Sequence, residues 1–347
     1  YKRQNPPFER FGGKLRIIPA SYREKGTEDV LVIDAEEAVR EGIIKSPWLA
    51  YWMCVAREFV KALGVDESEM VFEEKLPHER AHYATQTFDQ LVKVSRWGWI
   101  EVSGHAYRGD YDLSRHIKYS GQDLRVFRRY ETPVIVRKEK VIFDKALIGK
   151  LFKSKAKEVM KLIESIDVSK LKEMIKGSSS SIILGGYEIP VEAIKIVSVE
   201  EKVSGEHVVP HVAEPSFGAE RLVLVVLDRA YTEDEGGRIV LKLPPRIAPI
   251  KVAVFPLVTK EPLVKAAREV YESFLNRGIP AIYDETGSIG RRYARADEIG
   301  VPYAITIDYQ TLEDSTVTIR FRDTREQIRV SIKDVVDKVI NLLEEGL

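Results

Sequence analysis

From residue 251 onward the apolar residues alternate in a way that few folds can satisfy. Residues 251–255 read as an apolar strand, 262–276 as a helix closed by Gly278, and 281–283 as a strand. Residues 289–299 read as a helix closed by Gly300, and 303–307 as another strand. A hairpin over 317–322 and 327–330 and a last helix over 332–343 complete the series. Helices between successive strands place those strands in one sheet, so this stretch is an α/β domain of about 100 residues. The proline-rich stretch from Pro244 to Pro249 is its linker.

The whole chain has 347 residues, more than one core usually holds, so two or three domains are expected. With 44% hydrophobic and 31% charged residues, neither a disordered chain nor a fibre fits. No apolar run approaches the ~20 residues of a membrane span. Lys+Arg 54 balances Asp+Glu 54, so no global basic field announces nucleic acid. The single cysteine, Cys54, excludes a disulfide scaffold or an all-cysteine metal site and suits a reducing cytoplasm. Residues 1–45 read as irregular with short strands. Ser46-Pro47 then opens a helix carrying Trp48, Leu49, Trp52, Val55, Phe59 and Leu63 at helical spacing, and Gly64 ends it. Strands are expected at 70–76 and 97–104, with a helix over 78–94 between them. Residues 137–176 hold 12 Lys/Arg against 6 Asp/Glu, a helical pattern spans 145–175, and a Gly-Ser break spans 177–181. A solvated helical face and an RNA-backbone contact both account for that excess. A strand-rich stretch follows to 207, then strand, turn and helix over 211–230.

Three phrases invite chemistry. His78-Glu-Arg-Ala-His82 matches the H-E-x-x-H zinc pattern, but no third ligand stands at the usual spacing and Pro77 puts His78 at the extreme helix start. A capped helix with His82 half buried is the plainer reading. In residues 97–113, Glu101 interrupts an apolar strand, where a carboxylate suits Mg²⁺, and Arg108 can grip a carboxylate or phosphate through two N–H groups; a buried ion pair accounts for these residues equally well. In residues 211–222, Glu214 and Ser216 precede Gly218 and the first turn of an apolar helix. Arg221 there opposes the helix dipole and so asks for an anion. There is no G-x-x-x-x-G-K-[ST] or G-x-G-x-x-G loop, and Phe127-Arg-Arg-Tyr-Glu131 is treated as a decoy.

These residues together resemble the archaeal/eukaryotic-type glycyl-tRNA synthetases, a class II aminoacyl-tRNA synthetase family. The resemblance runs through Ser46–Leu63, Leu76–Asp89, Gly98–His116 and His211–Arg221. The last is similar to class II motif 3, and the zinc reading is retired by it. The fold it implies is an α+β class II catalytic core with an antiparallel sheet, incomplete here, from 1–134 and 207–245. An α+β insertion would fill 135–206, and an α/β anticodon-binding domain 246–347.

The roles it implies are as follows. Arg108 and Arg221 are catalytic, at the substrate carboxylate and the phosphates. Glu214, Pro215, Ser216, Phe217 and Gly218 face glycine. Glu101 and Val102, with Gly218, Ala219, Glu220 and Arg221, hold ATP, and Glu101 meets Mg²⁺. Apart from the resemblance, Arg291, Arg292 and Arg295 form a basic cluster on one helical stretch, and a contact with tRNA and a solvated face paired with Asp297 and Glu298 both account for it. The activity implied is glycine–tRNA ligation. Glycine attacks ATP to give glycyl-adenylate, and tRNA(Gly) then takes the glycyl group. A cytoplasmic homodimer without membrane association is implied as well. Motifs 1 and 2 are not found in residues 1–347, and residue 1 is Tyr. The chain is therefore expected to be the C-terminal part of a longer protein and inactive alone. A non-catalytic tRNA-binding relative is the alternative.

Overall fold

The computed structural model describes residues 6–178, 180–234 and 236–345. The first elements are β1 (Leu15–Ile18), α1 (Ala20–Arg23), β2 (Leu31–Ile33), α2 (Ala35–Arg40) and α3 (Pro47–Ala62). β3 (Met70–Glu74), β4 (Gln86–Val94), β5 (Gly98–Gly109) and α4 (Tyr111–Ser120) follow. β3, β4 and β5 are antiparallel neighbours, while β1 runs parallel to β3 and carries β2 at the edge. α3 starts where the Ser46-Pro47 signal places it. It buries Leu49, Ala50, Met53, Ala56 and Val60, and Leu49, Ala50, Met53 and Ala56 pack with Leu15, Ile17, Phe72 and Phe88 of the sheet. Trp48, Trp52 and Phe59 are 38%, 37% and 43% exposed and flank that contact. Close approach of helix to sheet leaves room for alanine and methionine and not for indole rings.

The expected helix over 78–94 is corrected. Residues 77–80 are turns, and from Gln86 the chain is the strand β4. Gln86, Phe88, Gln90, Val92 and Val94 are buried at a spacing of two residues, which is the period of a strand. A run with so many aromatic and β-branched residues satisfies the sheet ladder better than a helix.

Residues 113–210 form a compact unit of their own, an excursion from the rest of the chain. It contains β6 (Val126–Phe143), α5 (Lys145–Phe152), α6 (Ala156–Ser165), α7 (Val168–Lys176), β7 (Ser181–Leu184), β8 (Tyr187–Pro190) and β9 (Ile194–Val208). β6 and β9 make a long antiparallel ribbon from Val126↔Val208 to Phe143↔Ile194. The aspartates Asp144 and Asp167 cap α5 and α7. Ile148, Val159, Ile163, Leu171, Ile182 and Ile189 close a separate core. Part of the lysine and arginine excess is paired across the ribbon and onto it, in Arg137–Glu200, Lys138–Glu201 and Lys172–Glu139. In the Gly-Ser break, Ser179 lies outside the described residues.

After the excursion β10 (Val212–Phe217) returns beside β5, giving the sheet order β10-β5-β4-β3-β1-β2. α8 (Ala219–Ala230) and the hairpin β11 (Tyr231–Glu233) and β12 (Ile239–Leu241) follow. The last domain holds β13 (Val252–Pro256), α9 (Glu261–Asn276), β14 (Ala281–Tyr283), α10 (Ile289–Glu298) and β15 (Tyr303–Ile307). It ends with α11 (Tyr309–Asp314), β16 (Thr316–Phe321), β17 (Gln327–Ser331) and α12 (Val335–Glu345). Its sheet, β14-β13-β15-β16-β17, is mixed: β14, β13 and β15 are parallel, and β16 and β17 turn antiparallel. Val252, Val254, Phe274, Ile305 and Ile319 lie in its main core. The short helix α11 is not foreseen from the pattern; Asp308 and Thr311 start it with reciprocal capping bonds.

Phe88 is fully buried at the centre of β4. Phe88→Ala is expected to cost about 3–5 kcal/mol, read as a lower urea-unfolding midpoint, with secondary structure kept in the absence of denaturant.

Candidate active site

The site is built by two neighbouring strands and the helix that follows one of them. β5 and β10 pair antiparallel with Glu214 opposite Ala106, Ser216 opposite Gly104 and Phe217 opposite Ser103. Gly218 then donates its N–H to the Val102 carbonyl at 2.9 Å and starts α8 as its N-cap. Residues far apart in sequence therefore meet in one cleft lined by Glu101, Val102, Gly104, Glu214, Ser216, Phe217, Gly218 and Arg221, with Tyr83 and Thr87 from the neighbouring segment.

Its charges are arranged in two groups. Arg108 grips Asp112 through two bonds, at 2.7 and 2.8 Å, and donates to Glu214 at 2.7 Å. Its guanidinium also stacks over the Tyr83 ring at 4.0 Å. The bonds to Asp112 and Glu214 raise its already high pKa, so the cation is permanent. At the other end Arg221 donates to the Glu101 carbonyl at 2.9 Å and lies 3.3 Å from the Glu101 carboxylate. Arg221 is exposed, so an anion can take its free side. Between the groups Gly104 supplies an open floor. A Cβ there would sit 3.9 Å from both an Asp89 and a Glu101 carboxylate oxygen, so any longer side chain would fill the space between them.

Behind the floor runs a buried polar chain. Ser103 donates to Gln90 at 2.7 Å and lies 2.9 Å from Nε2 of His105. The hydroxyl has one proton to give, so Nε2 of His105 carries the N–H and Nδ1 is bare. Nδ1 is buried without a hydrogen-bond partner among the described residues. Burial pushes the His105 pKa down to about 3, so the ring is neutral. Its edges meet Phe72 and Phe217, and it thereby backs the aromatic wall of the cleft. Burial also raises the Cys54 thiol to about 11, which leaves it protonated and inert.

Most of the residues singled out from sequence are brought together here. Pro215 lies on β10 opposite His105, while Ala219 and Glu220 sit exposed on the first turn of α8, outside the cleft lining. The basic cluster of α10 is divided by the fold. Arg291 and Arg295 are exposed, and Arg295 is tied to Asp284 and the Thr286 carbonyl. Arg292 is only 2% exposed and bonds the Pro256 and Gly287 carbonyls, so it is corrected from a nucleic-acid contact to a structural strut. His78 and His82 are exposed in turns, and no group of three or more metal-ligating side chains occurs among the described residues. Glu79 instead receives Arg23 through two bonds and the Leu76 N–H, which hold its carboxyl down at about 2. Tyr83, Thr87, Asp89 and His105 were not singled out. Thr87 and Asp89 alternate with Phe88 and Gln90, a period-two signal that a helical reading of 78–94 conceals.

Two predictions follow from this geometry. Gly104→Leu is expected to melt like the wild type while losing ligand binding in the cleft, and Gly104→Ala to keep both, as read by thermal melting and calorimetry. For His105, the unfolded chain takes up a proton below pH 6.5 and the folded chain only near 3. Stability should therefore fall as pH drops through that window, by at most about 1.4 kcal/mol per pH unit. His105→Leu should flatten that part of the profile, measured by urea unfolding at several pH values.

Residues 251–342 match a family model described as an anticodon binding domain. Glycine–tRNA ligase of Aeropyrum pernix is 53% identical over 343 residues, covering 98% of this chain and 58% of that protein. The Pyrococcus furiosus enzyme of the same name is 43% identical over 343 residues, covering 98% and 60%. That of Methanothermobacter thermautotrophicus is 41% identical over 324 residues, covering 93% and 57%. The chain thus spans a little under three fifths to three fifths of the length of these curated relatives. Its antiparallel-rich sheet and C-terminal mixed sheet agree with the class II expectation. The chain is similar to the glycine–tRNA ligases along nearly all of its own length, and residues 251–342 are similar to an anticodon binding domain.

Proposed function

We propose that the cleft activates glycine with ATP and that the natural protein passes the glycyl group to the 3′ end of tRNA(Gly). One observation carries the reading: Glu214 with its Arg108 clamp, and Glu101 with Arg221, converge on one cleft. The identity to glycine–tRNA ligases supports it. Glu214, oriented by Arg108, accepts the substrate ammonium beside the Ser216 hydroxyl. The N–H groups of Arg108 not engaged by Asp112 and Glu214 serve the substrate carboxylate. Arg221 meets the phosphates, and no protein nucleophile is needed. The rate then comes from positioning two substrates and from cations where negative charge builds up.

Mg²⁺ fits this set, because it is usually held by one or two carboxylates together with substrate phosphates. Glu101 would hold it, and it would neutralise phosphate charge. Selection of glycine rests on space. A rigid pocket that excludes one methyl group rejects all larger amino acids, while the paired carboxylate orients what remains. In the last domain the exposed face of α10, with Arg291 and Arg295, serves as the tRNA contact. Homodimerisation and a cytoplasmic site belong to the same reading, and the single buried cysteine suits a reducing compartment.

The test is calorimetric binding of a non-hydrolysable glycyl-adenylate analogue to the natural gene product that carries this sequence. The wild type should bind it and should not bind the alanyl analogue. Glu214→Gln and Arg221→Ala should each weaken binding about tenfold, or about 1.4 kcal/mol. Binding that is absent, or unaffected by both substitutions, contradicts the reading. Arg291→Glu should weaken tRNA binding, measured by filter retention, and leave binding of the analogue unchanged.

A further inference from the structure

The helix that carries Arg221 into the cleft does not end freely. α8 ends at Ala230, and the chain passes into β11 without an intervening loop. The return strand ties back to it, Lys242 donating its N–H to the Ala230 carbonyl at 2.7 Å. Ala230, Leu243 and Ala248 form a small buried core with Val226 and Leu241 packed on it. The C-terminal turn of α8 is also held, Arg229 pairing with Glu69 at 2.7 Å.

The far side of the hairpin is clamped to the anticodon binding domain. Arg238, just before β12, donates to the Asp297 carboxylate at 2.8 Å. Asp297 lies on α10, is 1% exposed, and is gripped from the other side by Arg320 of β16 at 2.9 and 3.1 Å. Arg322 bridges the Gly300 and Leu243 carbonyls at 2.8 Å each, and Arg325 pairs with Asp234 at 2.6 Å. Gly300 has φ +80°, and a Cβ there would stand 2.6 Å from Leu243, so the α10 terminus and the segment after β12 are in direct contact.

The same short helix therefore presents Arg291 outward and Asp297 inward, and Asp297 holds the hairpin that continues α8. We propose that Arg238 and Asp297 form a positioning couple. Contact of RNA with the outer face of α10 is transmitted through Asp297 and Arg238 to β12 and the C-terminal half of α8, and so to the helix that sets Arg221. The means are packed side chains and ion pairs between rigid elements, with no flexible segment between Ala230 and β11. The couple differs from a plain structural staple in one respect: its effect is visible only when RNA is bound. The proposal rests on the reading of α10 as an RNA-binding face.

The test is hydrogen–deuterium exchange of the 347-residue chain, with and without a synthetic RNA hairpin of the tRNA(Gly) anticodon stem-loop. In the wild type, RNA should slow exchange in α10 and also in β12 and the C-terminal half of α8. In Arg238→Ala the protection of α10 should remain, and that of β12 and α8 should be lost. Arg238→Lys should restore part of it. Arg238 is part-exposed, so the substitution should not unfold the chain, and equal exchange in the RNA-free proteins checks this. Protection of α10 alone in the wild type overturns the coupling and leaves the RNA reading standing. Retention of α8 protection in Arg238→Ala also overturns the coupling. No protection of α10 overturns both.

Discussion

The antiparallel pairing of β5 with β10 is the constraint on which the cleft depends. It sets Glu214 opposite Ala106, two residues from Arg108 on the same face, and it brings Gly218 onto the Val102 carbonyl. Both charge groups follow from that register. Side chains alternate across a strand, so a slip of one residue would send Glu214 and Ser216 to the far face. The pairing joins segments separated by the whole excursion of residues 113–210. That excursion has its own core and its own long ribbon, so the pair does not have to close a loose loop of that length.

The electrostatics of the cleft follow from how its cations are held. Arg108 is balanced by two carboxylates and is a fixed orienting group. Arg221 has one partner, is exposed, and sits at a helix start where the backbone already favours an anion. The first suits recognition of a small zwitterion, the second a polyanion such as a nucleotide phosphate. The neutral, buried His105 behind the floor adds no charge to either group. It holds Phe217 in place through ring contacts.

Much of this is legible in the residues. The helix α3, the strand-turn-helix of 211–230 and the alternation of the last domain carry strong local signals: caps, glycine stops and a clear period. The β4 strand is not legible, because an H-E-x-x-H phrase and a Pro77 helix start point the wrong way locally, and only pairing with β3 and β5 decides it. Burial of charge is the other gap. Arg57, Arg292, Arg320 and Arg322 are buried, and each has at least one carbonyl or carboxylate partner from a distant segment, which the sequence neighbourhood does not announce. The same holds for Trp48 and Trp52, whose helical spacing suggests a core that the smaller residues of α3 occupy.

The most direct measurement is exchange of labelled pyrophosphate into ATP by the natural gene product that carries this sequence. The account predicts exchange that requires glycine and is not supported by alanine. Absence of glycine-dependent exchange, with tRNA still bound, would contradict it and leave an RNA-binding protein whose cleft no longer performs chemistry.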